Sequence, residues 1–164
     1  MHPRAAELIR ELQLVAHPEG GYYRRLFTSA QRDADGRAAS SSILFLLPGG
    51  VASRWHRVDA DELWHYHEGA PLQLLVGATA DSVRCERLGP VAVEQLPQRV
   101  VPAQAWQAAR SLGEFTLVGC TVTPAPLVKS SSEVAEVGVK RNVIRPLRPA
   151  SDSATWVALS RNRN

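Results

Sequence analysis

The residues best equipped for chemistry sit together between Gly50 and Gly69, in the stretch GVASRWHRVDADELWHYHEG. It holds His56, His65 and His67, three of the chain's five histidines, beside Asp59, Asp61, Glu62 and Glu68 and two tryptophans. Imidazole, carboxylate and aromatic groups at this density can ligate a metal, move a proton, or grip a polar ring. Ser53–Val58 and Leu63–His67 are rich in aromatic and β-branched residues and read as strands, with the polar DADE between them as a reversal. The expectation is a hairpin that carries the site. Strand alternation then sorts its side chains. With Glu62 facing inward, Trp64 and Tyr66 share its face, Leu63, His65 and His67 take the other, and His56 travels with Arg54 and Val58. The interior set becomes His56, Glu62, Trp64 and Tyr66, a small polar centre walled by aromatics. A bulge in the reversal would exchange the faces and bring His65 and His67 inward instead.

The elements that must position these residues are mostly strands. Pro3–Leu14 sets Ala5, Leu8, Ile9 and Leu12 at helical spacing with Glu7, Arg10 and Glu11 opposite, which predicts one short amphipathic helix. HPEGG at 17–21 is a turn signal, with Glu19 a secondary candidate for a pocket rim. Strands are predicted at Tyr22–Ser29, Ser41–Leu47, Pro71–Gly77, Ser82–Leu88, Val91–Leu96, Gln98–Val101, Trp106–Arg110 and Phe115–Thr123, besides the two already named. No helix-length periodic segment interrupts the series, which excludes a parallel α/β sheet and favours an antiparallel sandwich or barrel. At 164 residues and 45% hydrophobic, the chain is sized for one domain with a full core.

Charge and cysteine usage exclude several function classes. Through Ala125 there are 12 Arg and no Lys against 13 Asp and Glu, a net of −1; from Pro126 onward 7 Lys and Arg face 3 acids, a net of +4. The division is therefore a neutral domain at 1–125 and an atypical basic tail at 126–164, in which only Val134–Ile144 has the pattern of a strand. A tail without aromatic interleaving beyond Trp156 gives no reason to expect a nucleic-acid partner. Both lysines, Lys129 and Lys140, lie in that tail, so the domain has no candidate for Schiff-base chemistry. No run approaches the ~20 apolar residues of a membrane span, and the charged N-terminus lacks a signal peptide's apolar stretch. The expected setting is cytoplasmic, with no membrane partner. Cys85 and Cys120 are far apart and read as small hydrophobes, Cys120 within the core.

The spacing of Gly50, five residues, His56, one residue, Val58, three residues, Glu62, six residues and Gly69 resembles the first sequence motif of the cupins. Those two-motif jelly-roll barrels hold a metal or small molecule in the mouth. HPEGGYYRR at 17–25, SSSILFLLPGG at 40–50, WHRVDADELWHYHEG at 55–69, PQRVVPAQAWQAAR at 97–110 and TLVGCTVTP at 116–124 are similar to the cupin_5 family, also called DUF985. The resemblance covers residues 6–125. It implies an all-β double-stranded β-helix, a jelly roll of two packed antiparallel sheets, with the short helix preceding it. Departures from the cupin pattern bear on function. Metal-binding cupins supply a second histidine two residues after the first, where this chain has Val58. In the second motif Pro102 matches the proline, Gln104 replaces the following glycine, and Gln107 stands where a third histidine would be. The cage reduces to His56, Glu62 and Gln107, a poor set for zinc or a transition metal. No cofactor is expected, with a divalent metal as the alternative.

Similarity to sugar-nucleotide epimerase cupins, which work without metal, implies proton abstraction beside a carbonyl. His56 would be the base, Tyr66 the acid on the opposite face, and Glu62 the group that orients His56. Trp64, Gln107 and Arg54 would contact the ligand, and Arg54, Arg99 or Arg110 would meet the enolate. The expected function is binding of a small polar metabolite, carbohydrate-like or nucleotide-linked, in the barrel, with metal-independent epimerase or isomerase activity. The alternatives are a non-catalytic binding module and a metal-dependent cupin enzyme using His56, Glu62 and Gln107. His56 and Glu62 have a plainer reading as a satisfied buried pair, and Trp64, Trp106 and Tyr66 as core or dimer contacts. Cupins commonly extend one another's sheets, which implies a homodimer.

Overall fold

Proline at the first helical position and the His2 ring, whose Nδ1 accepts from the Arg4 N–H at 3.2 Å, begin α1 at Pro3. The helix stops at Glu11, short of the expected Leu14, and Gln13 takes a left-handed φ of 53° through which no helix continues. This computed structural model describes residues 1–79 and 82–126; most of the basic tail, including the Val134–Ile144 strand expectation, lies outside the described residues.

Eleven strands follow among the described residues: β1 (Val15–Ala16), β2 (Tyr22–Thr28), β3 (Ser41–Pro48), β4 (His56–Arg57), β5 (Asp61–Gly69), β6 (Leu72–Gly77), β7 (Arg84–Leu88), β8 (Gln95–Leu96), β9 (Gln98–Val101), β10 (Trp106–Ser111) and β11 (Phe115–Thr123). They form a six-stranded sheet in the order β1-β2-β3-β11-β5-β9 and a five-stranded sheet in the order β4-β10-β6-β7-β8. Every pairing is antiparallel except that of β7 with β8. This is the expected jelly roll with its short N-terminal helix.

Alternation along the strands builds the interior. Phe45 and Leu47 on β3, Trp64 on β5, Leu72, Leu74 and Val76 on β6, Ala109 on β10, and Val118 and Cys120 on β11 pack into one buried cluster between the sheets. Burying each large apolar side chain there contributes about 1.5–3 kcal/mol. On the outer face of the six-stranded sheet, Leu46 and Leu117 point the other way and meet Ala5 and Leu8 of the helix. A β-bulge in β11·β5 pairing sets Val118 opposite Tyr66 and Leu117 opposite Glu68, leaving His67 as the extra residue.

One expectation is corrected here. The two strands of the histidine-rich segment are not a hairpin: β4 lies in the five-stranded sheet and β5 in the six-stranded one. The backbone of β4 pairs with β10, His56 opposite Gln107 and Arg57 opposite Trp106. The chain that follows is held by the turn before β10. There the Gln104 N–H donates to the Val58 carbonyl at 2.7 Å, and the Ala103 N–H donates to Asp61 Oδ1 at 2.8 Å. Asp59–Asp61 thus carries the chain from one sheet to the other, and β5 finds its partners in β11 and β9.

Candidate functional site

The site is built on the HPEGG turn as much as on the histidine-rich segment. Gly20 and Gly21 hold φ values of 103° and 75°, and a Cβ on Gly21 would stand 2.6 Å from the Leu46 carbonyl oxygen. Only glycine lets the turn lie this close against β3. The Gly20 N–H donates to the His17 carbonyl at 3.0 Å and the His17 N–H to the Gly21 carbonyl at 2.9 Å, which closes the turn. The His17 ring is thereby set edge-on to Tyr23 and Phe45, with centroids 4.6 and 5.3 Å apart. Phe45 in turn meets Trp64 edge-on at 6.1 Å.

The turn is fastened to the segment before β4. The Arg54 N–H donates to the Glu19 carbonyl at 2.7 Å, and the Ser53 N–H to the Ala109 carbonyl at 2.8 Å. Ala52 stands opposite Arg110 and His56 opposite Gln107, so this side takes four steps where β10 takes three. The extra residue breaks period-two alternation. Arg54 is exposed, whereas the His56 side chain keeps only 15% of its accessible surface, so the two do not share a face as strand parity predicts. Arg54 meets the site through its backbone N–H and carbonyl and through its charge, which acts on Glu19.

Hydrogen bonds fix the ring of His56. Its Nδ1 lies 2.9 Å from the Arg54 carbonyl oxygen and 3.1 Å from Glu19 Oε2. A carbonyl oxygen only accepts, so Nδ1 carries the proton and Nε2 the lone pair in the neutral ring. The carboxylate that orients His56 is therefore Glu19, where the sequence reading assigned Glu62. Burial pushes the Glu19 carboxyl above the ordinary carboxylate range; nearby Glu62 adds to this, and His56 and Arg54 oppose it. His17 Nδ1 accepts from the Glu19 N–H at 3.1 Å. Burial, with the neighbouring His56 adding, lowers the His17 pKa to about 4, so this ring is neutral at pH 7.

Beneath these groups lies a sealed polar network. Glu62 is 6% exposed and Gln107 is fully buried. Gln107 Nε2 donates to Glu62 Oε2, and Trp64 Nε1 donates to Gln107 Oε1 at 3.0 Å. The Cys120 thiol is hydrogen-bonded to Glu62 as well, and burial raises the thiol far above its usual range. Burial also raises the Glu62 carboxyl, opposed by His56 and by the bonds from Gln107 and Cys120. Among the described residues no basic side chain forms an ion pair with Glu62, and no hydrogen bond joins it to His56.

The structure thus gathers His56, Glu62, Trp64 and Gln107 at one end of the barrel. Tyr66 stands apart: its hydroxyl donates to the Gly69 carbonyl at 2.6 Å, and four residues of strand, about 13 Å, separate it from Glu62. His65 faces out and bonds Gln98 at 2.8 Å, and His67 is exposed. Arg99 lies 3.4 Å from Glu86, and Arg110 Nε donates to Gln73. Sequence reasoning missed His17 altogether. Its signal was present in the HPEGG motif, where a histidine two residues before a carboxylate precedes paired glycines.

The donor set does not fit a divalent metal. Both ends of the Gln107 amide and one Glu62 oxygen are engaged inside the protein. Among the described residues no group of three or more His, Cys, Asp or Glu side chains stands close enough together to hold one. Two surface depressions, of about 470 and 240 Å³, lie elsewhere, the first lined by Cys85, Glu86, Arg87, Glu94 and Arg99 and the second by Arg25, Arg32 and Arg37 among others. Neither adjoins the histidines.

Solved structures share this architecture. A crystal structure of a Shewanella oneidensis protein is 34% identical, with a TM-score of 0.69 over 73% of this chain and 77% of its own. A hypothetical protein from Leishmania major is 35% identical, with a TM-score of 0.65 over 74% of this chain and 81% of its own. Oxalate decarboxylase from Bacillus subtilis, 12% identical with a TM-score of 0.53 over 73% of this chain and 29% of its own, shares the fold alone. No curated protein matches the chain significantly. The model of the Cupin_5 family, described as Cupin superfamily (DUF985), matches residues 6–129, three quarters of the sequence. The chain therefore belongs to the DUF985 family of the cupin superfamily.

Proposed function

We propose that the protein binds a small polar metabolite, carbohydrate-like or nucleotide-linked, at the end of the barrel beside His56 and Glu62, and moves a proton on it as a metal-independent isomerase or epimerase. One observation carries the reading. His56 Nδ1 is occupied by the Arg54 carbonyl and Glu19, which leaves Nε2 a lone pair without a protein partner among the described residues. A base needs that arrangement: a free acceptor on one side and, on the other, a carboxylate to stabilise the imidazolium once the proton is taken. The Glu19 side chain is 33% exposed, so the pair meets solvent and is open to a ligand. Tyr66 has no part in the reading, because its hydroxyl is committed to Gly69 at the far end of β5.

Wash-in of deuterium from solvent, across a panel of sugar nucleotides and keto acids, tests the proposal. Exchange into one class, lost about 10²-fold or more in His56→Gln, is the expected result. Binding without exchange by the wild type favours a non-catalytic module, a reading supported by the hydrogen bonds that already tie Glu62, Gln107 and Trp64 to one another. We further propose a cytoplasmic homodimer. Among the described residues β2 has no partner on its outer edge beyond Tyr23, and Leu26 and Phe27 there are 56% and 54% exposed. No described helix is long and apolar enough to cross a membrane.

A further inference from the structure

We propose that Glu19 locks His17 and His56 in opposite tautomers, so that the site presents one ring N–H and one bare ring nitrogen, and that the ligand is an α-hydroxy carbonyl compound held by both. The inference rests on the reading that the end of the barrel takes a small polar metabolite. It extends that reading to a residue so far without a role, and to a class of ligand.

Glu19 uses two different groups on the two rings. Its backbone N–H, which only donates, meets His17 Nδ1 at 3.1 Å, so that nitrogen carries the lone pair. Its carboxylate meets His56 Nδ1 at 3.1 Å, where the Arg54 carbonyl also accepts at 2.9 Å, so that nitrogen carries the hydrogen. A neutral imidazole has one donor and one acceptor. It follows that His17 exposes Nε2–H and His56 exposes a bare Nε2. Neither Nε2 atom has a protein partner among the described residues. The T-shaped contacts with Tyr23 and Phe45 pack the His17 ring in an apolar setting that keeps it uncharged. A neutral imidazole in this state serves as a hydrogen-bond donor to a carbonyl without releasing its own proton.

A ligand that satisfies both rings needs an acceptor for His17 and a donor for His56. An α-hydroxy carbonyl carries them on adjacent carbons: the carbonyl oxygen accepts from His17 Nε2–H while the neighbouring hydroxyl donates to His56 Nε2. A simple ketone fills only the first position. A vicinal diol offers the second but a weaker acceptor for the first. The sealed network of Glu62, Gln107 and Trp64 forms the floor and is not called on to rearrange.

The test begins on the full chain with nitrogen-15 resonances of the imidazole rings near neutral pH. Protonated Nε2 on His17 and protonated Nδ1 on His56 are expected; a proton on His17 Nδ1 overturns the proposal. Hydroxyacetone is then titrated against acetone and propane-1,2-diol. Hydroxyacetone should shift both rings and bind at least about tenfold more tightly than either analogue, the scale of one lost hydrogen bond. Equal binding of acetone overturns the clamp. His17→Phe should lose about tenfold in hydroxyacetone affinity, whereas His17→Gln, which restores an N–H donor, should recover most of it; an unchanged His17→Phe overturns the proposal. Failures of the two readings separate cleanly. Hydroxyacetone binding with no deuterium exchange refutes proton transfer and keeps the clamp. Exchange that needs His56 but is indifferent to His17→Phe refutes the clamp and keeps the base.

Discussion

Acid should weaken this fold through His17, and a glutamine there should remove the effect. A histidine held below its ordinary pKa stabilises the fold above about pH 6.5, and that contribution is lost as pH falls toward the folded-state value. The drop from 6.5 to about 4, caused first by burial and then by His56, corresponds to about 3.4 kcal/mol once the ring must charge fully. At about pH 5 the linkage relation gives about 2 kcal/mol, and the partial exposure of the ring reduces this toward about 1 kcal/mol. Urea unfolding of wild type and His17→Gln at about pH 7.5 and about pH 5 measures it. The difference between the two proteins is the quantity to follow, because Glu19 and Glu62, both raised by burial, gain stability as pH falls and partly mask the loss in wild type alone. Wild type should lose about 1–2 kcal/mol relative to the variant over that interval. A difference that stays constant with pH refutes the neutral, buried His17 and the tautomer assignment with it.

Three further outcomes are expected. Gln107→Met leaves the Trp64 N–H and a Glu62 oxygen unsatisfied in the interior, and should cost about 2–5 kcal/mol in urea unfolding. In that background Trp64→Phe should cost about 1 kcal/mol less than in wild type, and strict additivity would refute the shared network. Glu62, raised by burial, loses stability as pH climbs above about 4.5, so Glu62→Gln should gain on wild type over that range; parallel pH profiles for the two contradict the buried titration. Sedimentation should return twice the 17.9 kDa chain mass, and a single-chain mass at micromolar concentration refutes the dimer.

Period-two alternation made much of the fold legible. In β5 it correctly turned Glu62 and Trp64 inward and His65 outward, because a nine-residue strand buried on one face leaves little freedom of register. The same rule failed at Arg54 and His56, where one extra residue against β10 shifts the phase and no residue type announces it. The hairpin failed for a related reason. Aromatic and β-branched content identifies a strand but not its sheet, and that choice was made by Ala103 and Gln104, some forty residues away. Gln104 shows the converse. It stands where the cupin motif has glycine and takes a left-handed φ of 64°, at a cost of about 1 kcal/mol. His17 was hidden because the paired glycines already explain its motif locally, and only the packing of that turn against β3 brings the ring to Tyr23 and Phe45.

The crossing at Asp59–Asp61 has a mechanical side. Its two ends anchor in sheets that hydrogen-bond independently, His56 against β10 and Glu62 against β11. If the proposed ligand binds there, touching both sides, it acts as a rivet through both plates of the sandwich. Slower amide exchange on binding should then appear together at Gln107–Ala109 and at Cys120–Val122, although those strands belong to different sheets.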